Sequence, residues 1–131
     1  MSRVLALLSV LVLVACNETT GPTVSIDQQF TLEPGQVATV TNTQLRVGFD
    51  GVDGDSRCPA NALCITGGDA RVKIHVVDGS GRDSAYELHT GDMKPVTHQA
   101  MTISLMELTP YPFSTMPIEK DDYRATLKVT D

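Results

Sequence analysis

Asp69-Ala70-Arg71-Val72-Lys73-Ile74-His75-Val76-Val77 alternates apolar and polar side chains almost to its end. A strand turns successive side chains to opposite faces, so Val72, Ile74 and Val76 share one face and Arg71, Lys73 and His75 the other. The segment predicts a strand buried on one side. Asp78-Gly79-Ser80-Gly81 follows as a tight-turn signal, and beyond it Asp83 to His89 sets Tyr86 and Leu88 against Ala85, Glu87 and His89. Together the two segments predict an antiparallel hairpin.

The same grammar extends in both directions. Upstream, Ser25 to Leu32 ends at Glu33-Pro34-Gly35, where proline presets one φ and glycine accepts a positive one. Gln36 to Thr41 then reads as a strand, Asn42-Thr43 as a turn, and Leu45, Val47 and Phe49 as the apolar face of the next strand. Downstream, Met101, Ile103 and Leu105 share a face, while Met106 and Leu108 continue on the other parity. That switch predicts a bulge near Leu105, or a strand buried on both faces. Pro110-Tyr111-Pro112-Phe113 lacks two ladder donors and reads as an exposed or edge-capping loop. The closing strand, Tyr123 to Thr130, turns Tyr123, Ala125, Leu127 and Val129 inward. Only a short turn around Glu119 to Asp122 has helical character. Seven or so short strands with no internal repeat predict an all-β fold, an antiparallel two-layer sandwich over residues 24–131, with a small closed β-barrel as the alternative.

Residues 1–15 stand apart from this pattern. Arg3 gives a positive start, Val4 to Val14 is apolar apart from Ser9, and Ala15 and Cys16 close the run, which together read as a secretory signal. The run is shorter than the roughly 20 residues of a membrane-spanning helix. Leu13-Val14-Ala15-Cys16 resembles the bacterial lipobox. That resemblance implies lipidation of Cys16, cleavage before it, and a protein held on a membrane in the cell envelope, facing the periplasm or the exterior. Residues 16–23, with Gly21 and Pro22 among small polar residues, read as a lipidated cysteine followed by a flexible tether. Removing residues 1–15 leaves nine basic against sixteen acidic residues, a formal charge of −7. Such a surface argues against nucleic acid or anionic headgroups as partners.

With Cys16 assigned to lipid, Cys58 and Cys64 remain as an even pair in an oxidising compartment and are expected to form a disulfide. Closing so short a loop stabilises by about 2 kcal/mol on chain-entropy reasoning. A redox role would call for Cys-x-x-Cys at a helix start, and neither that spacing nor a helix is present in the sequence reading. The stretch Asp55-Ser56-Arg57-Cys58-Pro59, with Cys64 and Gly67 or Gly68, resembles a family of uncharacterised bacterial lipoproteins. The resemblance extends to Gly35-Gln36, Pro110-Tyr111-Pro112 and Asp122-Tyr123. Family members tend to carry a Trp two residues past the second cysteine, where this chain has Thr66. The resemblance implies no activity.

Candidate chemistry is sparse. Asp50, Asp53 and Asp55 place three carboxylates on what reads as a glycine-flexed loop, the ligand type Ca²⁺ takes, although the spacing is not that of an EF-hand. His75, His89 and His98 with Met93, Met101 and Met106 are of the type copper takes, without a ligand spacing. Ser56 lacks a Gly-x-Ser-x-Gly elbow, and the chain has no His-Glu-x-x-His and no phosphate-binding glycine loop. The reading is therefore a non-enzymatic binding or envelope accessory module with no required cofactor and an envelope protein as possible partner. Metal binding is one alternative, and a hydrolase or hydrolase inhibitor a weaker one. The stretch Asp50 to Gly68, as the longest expected non-strand segment, is the candidate binding site through Asp55, Arg57 and Asn61. An equally weighted reading has Asp55 and Arg57 locking the loop to the sandwich.

Cys16→Ala tests the anchor. The substituted protein is expected to lose labelling by a fatty-acid probe and to leave the detergent phase; retained label would refute lipidation at Cys16.

Overall fold

A computed structural model describes residues 20–131. The signal, Cys16 and the first part of the tether lie outside the described residues. Among the described residues nine strands run in order: β1 (Thr20–Val24), β2 (Gln29–Leu32), β3 (Val37–Val40), β4 (Arg46–Asp55), β5 (Ala70–Val77), β6 (Asp83–His89), β7 (Val96–His98), β8 (Met101–Thr109) and β9 (Arg124–Thr130). A single 3-10 turn, Lys120–Asp122, occupies the place where a short helical turn was expected.

The strands form two sheets, of order β1-β3-β4-β5-β6 and β2-β9-β8-β7. All pairings are antiparallel except β1 with β3. The sheets stay open and pack face to face as a sandwich rather than closing into a barrel. The inward faces follow from alternation. Val47, Phe49, Val72, Ile74 and Val76 come from one sheet, and Leu32, Ile103, Leu127 and Val129 from the other; all are essentially inaccessible to solvent. Among the described residues no helix is long and apolar enough to cross a membrane.

The β5–β6 hairpin pairs Ile74 with Tyr86 and Val72 with Leu88. The switch of parity in β8 is a bulge, with the β9 register shifting between Leu105 and Glu107. Three expectations are corrected. Residues Thr20 to Thr23 were read as part of a flexible tether but lie in β1, paired in parallel with β3. Pro22 is tolerated there because β1 is an edge strand and Pro22 falls in the register shift between the Thr20 and Thr23 pairings. Val96–His98 forms the extra edge strand β7, too short to leave a periodic signal. Most consequentially, Asp50 to Asp55 is not a loop. It is the second half of β4, interrupted by register shifts between Phe49 and Gly51 and between Val52 and Asp55. Glycines at such shifts mark bulges within a strand as readily as turns between strands.

One end of the sandwich gathers the long connections. β4 runs toward it and β5 away from it, joined by the cysteine segment, while β8 runs into the segment containing Pro110-Tyr111-Pro112. The Asp78–Arg82 turn closes the opposite end of the β5–β6 hairpin.

Candidate functional site

The cysteine segment begins on Asp55, the last residue of β4. Cys58 and Cys64 are joined by a disulfide, with Cα atoms 5.9 Å apart. At the base of the segment Ser56 N–H donates to the Asp69 carbonyl (2.7 Å), and Cys58 N–H to that of Gly67 (2.9 Å). Gly68 holds φ at +68°, and a Cβ there would strike the backbone carbonyl of Ser56. Only glycine fits this combination of left-handed backbone and close approach.

Arg57 fixes the segment to both sheets. Its Nε donates to Asp55 Oδ1 (2.9 Å) and its Nη2 to Asp55 Oδ2 (2.7 Å), a two-pronged ion pair. Nη1 also donates to the Leu108 carbonyl and Nη2 to that of Pro110, each at 2.8 Å. Tyr123 Oη donates to Asp55 Oδ2 at 3.0 Å. The guanidinium carbon lies 5.7 Å from the centre of the Tyr111 ring, a cation–π contact. Only 8% of the Arg57 side chain and 10% of the Asp55 side chain is exposed. Burial works against the charged form of Asp55, but its bonds from Arg57 and Tyr123 outweigh that and hold its pKa below the usual carboxylate value. Burial and the bond to Asp55 push the Tyr123 hydroxyl up to about 12.

Further contacts strap the cysteine segment to the proline segment. Ala60 N–H donates to the Pro112 carbonyl (2.8 Å). Asn61 Nδ2 donates to Ser114 Oγ (2.7 Å), and Ser114 N–H donates back to Asn61 Oδ1 (3.0 Å). A reciprocal pair of this kind fixes both position and orientation. Of the sequence candidates for binding, Asp55 and Arg57 are therefore brought together and buried, while Asn61 stays exposed, and all three engage other groups of the protein.

The large side chains left facing outward are apolar. Leu63 and Ile65 are fully exposed, and Tyr111, Phe113 and Met116 are each at least half exposed. In the sequence Tyr111 and Phe113 read only as part of an exposed or edge-capping loop, and Leu63, Ile65 and Met116 carried no assignment. A readable signal was present: Cys58 to Gly68 and Leu108 to Ile118 contain no Asp, Glu, Lys or Arg, in a chain that is 20% charged. A cleft of about 430 Å³ runs along Tyr111, Phe113, Met116 and Ile118. A second, of about 450 Å³, lies between Cys58, Gly68, Met93, Met106 and Tyr111.

The three aspartates do not act as one cluster. Asp50 Oδ1 bonds His75 Nδ1 (2.7 Å), exposed Asp53 lies near Arg71 (3.8 Å) and Lys73 (4.0 Å), and Asp55 is held by Arg57 and Tyr123. The histidines and methionines are also dispersed. His75 is on Asp50, His89 lies between Asp69 (2.6 Å) and Glu87 (3.0 Å), and buried His98 bonds the Tyr86 hydroxyl (2.8 Å). Met93 and Met106 share the second cleft, while Met101 packs against the core. Among the described residues no group of three or more His, Cys, Asp or Glu is placed to hold a metal ion.

Two tests follow from these ties. Removing Arg57 leaves Asp55 buried and uncompensated, so Arg57→Ala is expected to cost about 3–5 kcal/mol in denaturant unfolding. Asn61→Ala, at an exposed strap, is expected to cost about 1 kcal/mol; equal costs would contradict the assignment. The second test uses pH. The hydrogen bond that His89 donates to Asp69, against a burial penalty, raises the His89 pKa above its usual 6.5. Burial opposes ionisation of Asp69, but bonds from His89 and the Gly91 N–H lower its pKa. The His89 contribution is complete below its unfolded pKa and lost as pH rises through its raised folded value. The Asp69 contribution is present above its unfolded value and lost as pH falls through the lowered one. The stability gap between the wild type and His89→Gln should therefore be widest between the unfolded pKa of Asp69 and that of His89, and close as the medium turns alkaline, as read by melting curves. Compared with known protein families, characterised proteins and solved structures, the chain matches none.

Proposed function

We propose that the protein is a lipid-anchored, extracytoplasmic β-sandwich of the cell envelope that works as a non-enzymatic binding or accessory module, with the joined cysteine and proline segments as its contact surface. The observation that carries this reading is the pairing of rigidity with exposure. The disulfide closes the cysteine segment on itself and Arg57 and the Asn61–Ser114 pair tie it to the proline segment, while Leu63, Ile65, Tyr111, Phe113 and Met116 face outward. Large apolar side chains exposed at one end of a scaffold favour an interaction site, and a surface already ordered loses less entropy when it is covered. The lipobox-like Leu13-Val14-Ala15-Cys16 supports the anchor and the compartment. A sandwich scaffold that presents loops at one end is a common way for such surfaces to be displayed.

Oxidative footprinting tests this assignment without knowledge of the ligand. Tyr111, Phe113 and Met116 are expected to be protected in intact envelopes relative to the detergent-purified protein, while Tyr86 in β6 reacts equally in both. Unchanged reactivity at all three contact residues would refute the surface.

A further inference from the structure

We infer that the platform formed by the cysteine and proline segments rests on the lipid bilayer that carries the anchor, with Leu63, Ile65, Tyr111 and Phe113 in its headgroup region. The inference rests on the reading of Cys16 as lipidated and names the ligand of the proposed contact surface. Direction is the first argument. β1 is parallel to β3, and β3 is antiparallel to β4, so the chain enters β1 from the end toward which β4 runs. That is the end bearing both segments. Reach is the second. Through Val37, Thr20 is level with Gly48 of β4. From Gly48 to Asp55 the strand advances about 20 Å further toward the segments at the usual rise per residue. Cys16 precedes Thr20 by four residues, which span at most about 14 Å when fully extended. A tether continuing in the direction of β1 is therefore too short to hold the segments clear of the membrane.

Chemistry is the third argument. Cys58 to Gly68 and Leu108 to Ile118 carry no charged side chain, and the carboxylates beside them, Glu107 at 3.5 Å from the Tyr111 hydroxyl and Asp122 in the wall of the Phe113–Met116 cleft, lie outside both segments. The large exposed side chains are aliphatic and aromatic, the exposed polar ones among them, Asn61, Thr66, Ser114 and Thr115, are uncharged, and a tyrosine suits the boundary because its ring is apolar and its hydroxyl is polar. Arg57, the nearest cation by sequence, has its guanidinium committed to Asp55, Leu108 and Pro110. With an acidic protein above it, this contact owes nothing to attraction for anionic lipid. It acts as a second, non-covalent hold that fixes how the sandwich stands on the membrane.

The chain contains no tryptophan, so a single introduced one reports its own surroundings. Leu63→Trp, Phe113→Trp and, at the far turn, Arg82→Trp are made in the full chain. The lipidated proteins are reconstituted in vesicles of phosphatidylcholine brominated on the acyl chains. Emission from Leu63→Trp and Phe113→Trp is expected to shift to the blue and lose intensity relative to unbrominated vesicles, with Arg82→Trp unchanged. Fatty-acid label at Cys16 is read on the same samples. Absence of label would overturn the anchor and this inference together. Label present with no quenching at either position would overturn this inference alone. Protection of Phe113 in envelopes without quenching in vesicles would assign the platform to a protein partner and likewise overturn it.

Discussion

The Asp55–Arg57 pair is the constraint on which the functional end of this sandwich depends. Taking two charges out of water is costly, and a buried pair offsets that cost only when the remaining donors and acceptors are satisfied. Here they are: Arg57 makes two bonds to Asp55 and two to the carbonyls of Leu108 and Pro110, while Asp55 also accepts from Tyr123. Each partner joins a different element. Asp55 ends β4 in one sheet, Leu108 lies in β8 of the other, and Tyr123 immediately precedes β9. An apolar pair in the same place would exclude water without fixing direction. The ion pair, with its oriented donors, sets where both segments leave the core.

From that junction the surface follows. The disulfide limits the conformations of the cysteine segment, and Ala60 and Asn61 bind it to the proline segment, so two connections that could have moved separately present one face. Polar groups that could have recognised a ligand are consumed in making this face rigid. Leu63, Ile65, Tyr111, Phe113 and Met116 remain for contact. The division of labour, charged pair inside and large apolar side chains outside, reverses the usual arrangement of a surface loop.

Alternation carried most of the fold. Val72, Ile74 and Val76, and then Ala125, Leu127 and Val129, could be read directly because a strand with one buried face imposes a period of two. The bulge near Leu105 was legible for the same reason, as a break in that period. β1 was hidden because Gly21 and Pro22 signal a linker unless the strand is known to lie at an edge. The second half of β4 was hidden because Gly51 and Gly54 mark bulges and turns alike, and this moved Asp50 and Asp53 from an apparent loop onto a strand. At the site, the spacing of Asp55 and Arg57 pointed to their proximity, but nothing local distinguished a binding pair from a buried tie. Their carbonyl partners on Leu108 and Pro110 lie far along the chain, beyond the range of any spacing rule.

The two segments move as one unit held by Arg57, and amide hydrogen exchange reads that coupling residue by residue. In the wild type the Ala60 and Ser114 amides, bonded to Pro112 and Asn61, are expected to be protected. In Arg57→Lys, which keeps the charge but loses the two-pronged geometry, protection at Ala60 and Ser114 should fall together by a similar factor, beyond any loss at the core amides of Ile74 and Leu127. Unchanged protection at both sites, or loss at one without the other, would contradict the account.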